Sequence, residues 1–242
     1  MSSGKYGAIS GAVARMQMLE NISEHLAAVK TPGYKRGVVS FEARLGEASS
    51  GMATTGTNYT QLTEPKIDFT TGDVEYSGDP LDIAINGDGF FQIQRTDGTF
   101  GYARKGNFEL NSEGKLIDTN GFPVMGARGG EIILPRPDVN IGLDGSIWDE
   151  DKLVGQVGLF RFADTSVLQR DRGEMFVPLD NIEPELHPNP NMSQKNLETS
   201  NIDMMKTMVL MTSNLRAFEA TQKALKIYSD MGAKSAEIGL VQ

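Results

Sequence analysis

Apolar residues recur at helical spacing at the two ends of this chain and not through its long middle, and that layout narrows the possible folds more than any other feature. Near the start, Ile9, Ala12, Met16, Leu19 and Leu26 follow a 3,4 spacing, with Val13, Ile22 and Val29 widening the stripe. Ser23 interrupts this seam. The pattern stops at Lys30-Thr31-Pro32-Gly33, where proline disfavours helical geometry in the residue before it and glycine permits a sharp change of direction. Near the end, Met204, Met208, Met211, Leu215, Phe218 and Leu225 follow 4,3,4,3,7 spacing, with Gln222 in the gap, the pattern of a coiled-coil seam. Met205, Val209 and Leu210 lie off that seam, so this helix is apolar on nearly every side around Met204 to Met211, and two or more neighbours are implied. Ser200-Asn201-Ile202-Asp203 supplies oxygens that can cap its first turn. Termini are usually the least buried parts of a fold, so apolar helices placed there point to burial by other copies.

The middle reads differently. From Val38 to Thr63 the sequence is small and polar, as expected of a connector. Residues 67 to 180 read as β structure: runs such as Leu81 to Ile85 and Phe90 to Ile93 are bounded by Asp88-Gly89, Asp97-Gly98, Lys105-Gly106, Glu113-Gly114, Asn120-Gly121 and Asp144-Gly145. Glycine in such pairs supplies the positive φ of tight hairpin turns, which favours an antiparallel meander. The expected fold is therefore α+β. N- and C-terminal helices pair as a coiled-coil domain around a central antiparallel, sandwich- or barrel-like β domain. The expected boundaries are 1–36 for the first helix, 37–66 for a connector, 67–180 for the β domain, 181–196 for a return linker and 197–242 for the last helix.

Composition removes several functions. The net charge of -9 with scattered Lys and Arg leaves no nucleic-acid footprint. Absence of cysteine removes disulfides, thiolate metal sites and a cysteine nucleophile. No apolar run approaches a membrane span, so lipid insertion is not expected. The N-terminus never builds the apolar stretch of a cleavable signal peptide, so any export is expected to use another route. Chemistry is equally sparse. Asn86-Gly87-Asp88-Gly89 begins like a dinucleotide fingerprint, but Gln92 replaces the third glycine and a strand follows, so a hairpin turn is the better reading. Ala84 spoils Asp82 to Gly87 as a calcium loop. His25 and His187 lack metal-site spacing, and Asp149-Glu150-Asp151 reads as a solvated turn. No catalytic, cofactor-binding or metal-ligating residues are assigned, and no cofactor is expected.

Three segments carry a resemblance. Ile22-Ser23-Glu24-His25-Leu26-Ala27-Ala28-Val29-Lys30-Thr31-Pro32-Gly33-Tyr34-Lys35-Arg36 resembles the N-terminal signature of flagellar axial proteins, the rod and hook family, commonly ISNNLANVNTPGYKR. Glu24, His25, Ala28 and Lys30 depart from it where asparagines are common. Gly78-Asp79-Pro80-Leu81-Asp82-Ile83-Ala84-Ile85-Asn86-Gly87-Asp88-Gly89-Phe90-Phe91 looks like the family's SGNPLDVAINGDGFF motif. Leu197-Glu198-Thr199-Ser200-Asn201-Ile202, then Arg216-Ala217-Phe218-Glu219-Ala220, is similar to its LESSNV and RAYEA motifs. Length and the compact Gly121 to Gly126 stretch are more like a proximal rod subunit related to the distal rod protein than like the distal rod protein itself.

The resemblance implies a structural subunit of the flagellar drive shaft. It would be exported unfolded through the flagellar type III apparatus, without a cleavable signal peptide, and would lie in the basal-body rod across the periplasm or cell wall. Its partners would be copies of itself and other rod subunits, proximal and distal, and its function torque transmission. Assembly contacts are expected from Ile9, Val13, Met16, Leu19, Ile22, Leu26 and Val29, and from Met204, Met205, Met208, Val209, Met211, Leu215, Phe218 and Leu225. Within one subunit, Met204, Met208, Met211, Leu215 and Phe218 are expected to meet Met16, Leu19 and Leu26. Truncation after residue 196 is expected to leave a folded β domain. The competing readings are a distal rod or hook-like subunit, a peptidoglycan-active enzyme with convergent carboxylates, and an adhesin.

Overall fold

The computed structural model describes residues 2–39, 41–45, 58–62, 66–171, 174–179 and 182–239. The fold is α+β with mostly antiparallel sheets, flanked by helix α1, Ser2–Ala28, and helix α2, Met204–Gly239. No helix among the described residues is long and apolar enough to cross a membrane. The chain forms two compact units: one of residues 1–27, 37–66 and 203–242, the other of residues 28–36 and 67–202.

In the helical unit, α1 stops where Pro32 and Gly33 require, and α2 starts directly after Asp203, whose carboxylate accepts the Lys206 amide at 3.0 Å. Ser200 instead accepts the Ile202 amide at 3.3 Å, so the aspartate alone caps the helix. The helices are fastened by a reciprocal pair: Arg15 Nη1 donates to Asn214 Oδ1 at 3.1 Å, and Asn214 Nδ2 donates to the Arg15 carbonyl at 3.0 Å. Thr207 and Asn214 are buried on α2, with Met211, Phe218, Thr221 and Leu225 half-buried. The inward seam therefore falls one residue before the expected one at two places, Thr207 for Met208 and Asn214 for Leu215. Met204, Met208, Leu215 and Met16 stay exposed, so the expected packing of those methionines and Leu215 on Met16 within one subunit is not what the chain does. Asn214 thus reaches a main-chain carbonyl of the other helix. Ala14 and Ile22 are buried on α1, and so is His25, whose Nε2 accepts the Gly37 amide at 3.1 Å. The stretch expected to be a plain connector contains an antiparallel strand pair, Phe41–Leu45 with Asn58–Leu62, and residues 46–57 lie outside the described residues.

The β unit is built on a six-stranded antiparallel sheet. Its spatial order is Leu168–Arg170, Phe176–Pro178, Phe100–Ala103, Phe90–Gln94, Leu159–Arg161 and Glu185–Leu186. Smaller ladders join Ile83–Ile85 to Met192–Gln194, Val74–Tyr76 to Asn196–Glu198, and Asn140–Ile141 to Ser146–Asp149 to Lys152–Gln156. This order is not a simple meander. Asp97-Gly98, Glu113-Gly114 and Asp144-Gly145 do close hairpins. Asn86 to Gly89 does not: it passes the chain from one sheet to another, because the strands on either side pair elsewhere. Ile83, Ile85, Phe91, Leu116, Val124, Ile147, Val157 and Met192 form the main core, and Phe90, Tyr102, Phe162, Leu168 and Phe176 a second, aromatic one.

Gly106 has no room for a side chain, since a Cβ there would collide with the Ile83 carbonyl and crowd Phe91 at 3.1 Å. Gly121 has open space but a φ of +85°. Gly106→Ala is expected to destabilise by more than about 3 kcal/mol and Gly121→Ala by about 1 kcal/mol. Urea unfolding of the two variants checks the ranking.

Candidate functional site

The residues following α1 enter the β unit and are bolted there. A turn closes from the Thr31 amide to the Ala28 carbonyl at 3.0 Å, and Gly33 then takes a φ of +67°. A Cβ on Gly33 would strike the Lys105 nitrogen and lie 2.5 Å from the Arg104 carbonyl carbon. Only glycine allows the chain to pass so close, and its amide donates to the Glu198 carbonyl at 2.7 Å. Tyr34 is buried next, with the Arg170 guanidinium 4.3 Å above its ring. The same Arg170 donates through Nη2 to the Lys35 carbonyl.

Lys35 and Glu198 form the centre of this arrangement, and their side chains are 0% and 1% exposed. The Lys35 ammonium is ion-paired to Glu198 Oε1 and donates to the Thr70 carbonyl at 2.7 Å. The Gly72 amide donates to the same Oε1 at 2.9 Å, and Arg104 Nη1 to Oε2 at 3.3 Å. Gly72 is itself indispensable, because a Cβ would run into the Thr199 carbonyl. Burial pushes the Lys35 ammonium and the Arg104 guanidinium below their ordinary pKa values, and Glu198 opposes the shift in both.

A second, more exposed layer repeats the tie. Arg36 donates its amide to Asn201 Oδ1 at 2.8 Å and two guanidinium nitrogens to Asp68 Oδ2 at 2.9 and 2.7 Å. Asn201 Nδ2 donates back to the Asp68 carbonyl at 2.8 Å. Burial raises the Asp68 pKa, but the Thr70 amide and Arg36 outweigh it and hold the carboxyl below its ordinary range. The motif leaving α1 and the motif preceding α2 are thus one joint.

The middle motif serves the core. Leu81, Phe90 and Phe91 are buried in it, and a Cβ on Gly89 would sit 2.8 Å from Leu159. Asp82 is buried, burial raises its carboxyl pKa, and its carbonyl accepts the Lys195 amide at 2.7 Å. The Pro80 carbonyl accepts Gln194 Nε2 at 2.7 Å and Asn86 donates to the Asn191 carbonyl at 2.8 Å, so the motif also anchors the returning chain. Gly87 turns it with a φ of +124°.

The residues named for assembly divide by exposure. Ile9, Val13, Met16, Met204, Met205, Met208, Val209 and Leu215 are exposed, with Met205 at 73%. Ile22 is buried, and Leu19, Leu26, Val29, Met211, Phe218 and Leu225 are half-buried. Arg216 and Glu219 lie on the exposed side of α2. Sequence reasoning did not single out Glu198, Arg104, Arg170 or Thr70. Glu198 stood inside a quoted motif, whereas Arg104 and Arg170 carry no local signal.

Comparison with known proteins shows the family. The flagellar hook protein FlgE/F/G D1 domain matches residues 84–148, and the flagellar basal body rod FlgEFG protein C-terminal region matches residues 193–238. The chain is 32% identical to the flagellar basal-body rod protein FlgF of Mesorhizobium japonicum, over 93% of each chain. It is 30% identical to the rod protein FlgG of Bacillus subtilis, over 91% of this chain and 92% of that one. The chain belongs to the flagellar basal-body rod proteins. It is a structural subunit of the basal-body rod and not an enzyme.

Removing the carboxylate of Glu198 strands two buried cations, so Glu198→Ala is expected to cost about 3–5 kcal/mol in chemical unfolding. Lys35→Met leaves the Arg104 pair in place and is expected to cost less. Because folding lowers the Asp68 pKa, its contribution is present above the ordinary value of 3.8 and is lost as pH falls through the folded value. Asp68→Asn is therefore expected to flatten the fall in thermal stability at acid pH, measured from pH 6 down to about pH 2.

Proposed function

We propose that this rod subunit transmits torque through its joint, by holding together the peptide connections between its two units. The chain passes between the units at residues 27/28, 36/37, 66/67 and 202/203. Residues beside three of these four passages, Gly33 to Arg36 before 36/37, Asp68 to Thr70 after 66/67 and Glu198 to Asn201 before 202/203, are tied to one another by hydrogen bonds and ion pairs. A load carried by one connection is thereby shared with the others. That is the observation carrying the proposal.

In the assembled rod, α1 and α2 pair as a coiled-coil layer of an inner tube, with a sandwich- or barrel-like β domain outside. The exposed strip of Met204, Met205, Met208, Val209 and Leu215, together with Ile9, Val13 and Met16, supplies the contacts to neighbouring copies and to other proximal and distal rod subunits. A monomer keeps this strip in water, and heterologous stacking that does not close into a ring removes it. Methionine suits neighbours that differ slightly from one another. The chain reaches the basal body through the flagellar type III export apparatus and takes a proximal position in the rod.

Met205→Asp and Val209→Asp are expected to change monomer stability by less than about 0.5 kcal/mol, since both side chains are exposed, yet to abolish motility and recovery of the subunit in isolated basal bodies. Normal incorporation of both variants would refute the helical-strip assignment. A truncation that spares the β unit must fall after Ile202, because a cut after residue 196 removes Glu198 and most of the strand paired with Val74–Tyr76.

A further inference from the structure

Two features of the β unit are not used by its core or by the joint. The first is a groove of about 420 Å³ whose lining includes Arg128, Ile133, Trp148 and Leu153, beside the edge strand Lys152–Gln156. Ile133 is 57% exposed and Leu153 49%. Trp148 is 39% exposed, and its ring is held in place by the bond from Nε1 to Ser146 Oγ at 2.9 Å. The carboxylates in the lining are engaged: Glu131 pairs with Lys115 at 2.8 Å, and Asp144 Oδ1 accepts the Ser146 hydroxyl at 2.6 Å. Arg128 has no ion-pair partner among the described residues, and it presents five donors in a chain whose net charge is -9.

The second feature is the segment Ile182-Glu183-Pro184-Glu185-Leu186. Its last two residues form the outer strand of the six-stranded sheet. Ile182 and Leu186 leave aliphatic surface exposed on either side of a half-buried Pro184. Ile182 is exposed, Leu186 is 50% exposed, and Glu183 has no ion-pair partner among the described residues. The segment holds two carboxylates and no cation. Groove and segment are thus complementary: an aromatic and aliphatic floor beside a guanidinium without an ion-pair partner among the described residues on one, exposed aliphatic side chains beside a carboxylate without one among the described residues on the other. They are different patches of one molecule, as a head-to-tail contact between copies requires.

We propose that the Ile182–Leu186 segment of one copy of this chain seats in the Trp148 groove of the next, with Glu183 meeting Arg128. The contact rests on the assembly reading above but is separate from the helical strip. The pairing is testable by charge reversal in full-length chains expressed in cells lacking the native gene. Arg128→Glu and Glu183→Arg should each shrink the motility halo without loss of thermal stability, and the double variant should restore it toward wild type. The chain has no native cysteine, so Arg128→Cys/Glu183→Cys, oxidised in isolated basal bodies, should give a ladder of cross-linked multimers on a denaturing gel. Each single cysteine variant should stay monomeric there. Singles with wild-type halos, a double variant no better than the worse single, or a ladder-free double cysteine chain recovered in basal bodies would each overturn the proposed contact. Absence of the wild-type chain from basal bodies would instead refute the assembly reading on which it rests.

Discussion

The carboxylate of Glu198 is the point on which the joint depends. Both its oxygens are used inside the protein, by the Lys35 ammonium, the Gly72 amide and the Arg104 guanidinium. A buried carboxylate with fewer partners would be strongly penalised, and two buried cations without it more so. Each partner therefore holds the others in place. Lys35 and Glu198 are 163 residues apart in sequence, so the cluster closes only when the segment leaving α1 has met the segment approaching α2. Glycines at 33 and 72 leave room for it: a side chain at 33 would strike the backbone of Arg104 and Lys105, and one at 72 the Thr199 carbonyl.

Around this joint the chain divides its apolar residues between two purposes. The β unit keeps its large side chains in two cores, with Phe91 and Phe176 wholly buried. The helices do the reverse: they are joined by Arg15 and Asn214 and bury Ala14, Thr207 and Asn214, while the methionines around Met205 are exposed. A lone chain gains nothing from that choice. In a polymer it leaves the larger apolar side chains, with the greatest area per residue, for the interface that drives assembly.

This division explains what the sequence could disclose. The 3,4 spacings located both helices, and the turn pairs located the β region, because each follows from local geometry. The inward seam of α2 was misplaced because hydrophobicity marks every apolar face alike, and the richest stripe of this helix is exposed in the single chain. Thr207 and Asn214 look like seam-breakers in one dimension; only the Arg15 carbonyl opposite makes Asn214 an anchor. The turn at Asn86 to Gly89 was recognisable from its glycines, but not that its flanking strands join different sheets, since strand pairing is a long-range property. Lys35 belonged to a recognisable motif, whereas Arg104 gained its role only from a carboxylate brought to it by the fold.

An apolar plug in place of the joint would be as stable or more so, because exchanging a buried ionic cluster for well-packed hydrophobes often adds stability. Its mechanical behaviour would differ. Apolar side chains are held by non-directional contact, which does not fix orientation as directed bonds do. Glu198 is gripped by donors from three separate segments, and Lys35 also donates to a carbonyl at Thr70, so a slip of any one segment lengthens several directed bonds at once. Arg36, Asp68 and Asn201 repeat the arrangement in the outer layer with the same segments. A cluster held in this way resists small displacements of its segments against one another, which is the property the proposed transmission of torque requires of it.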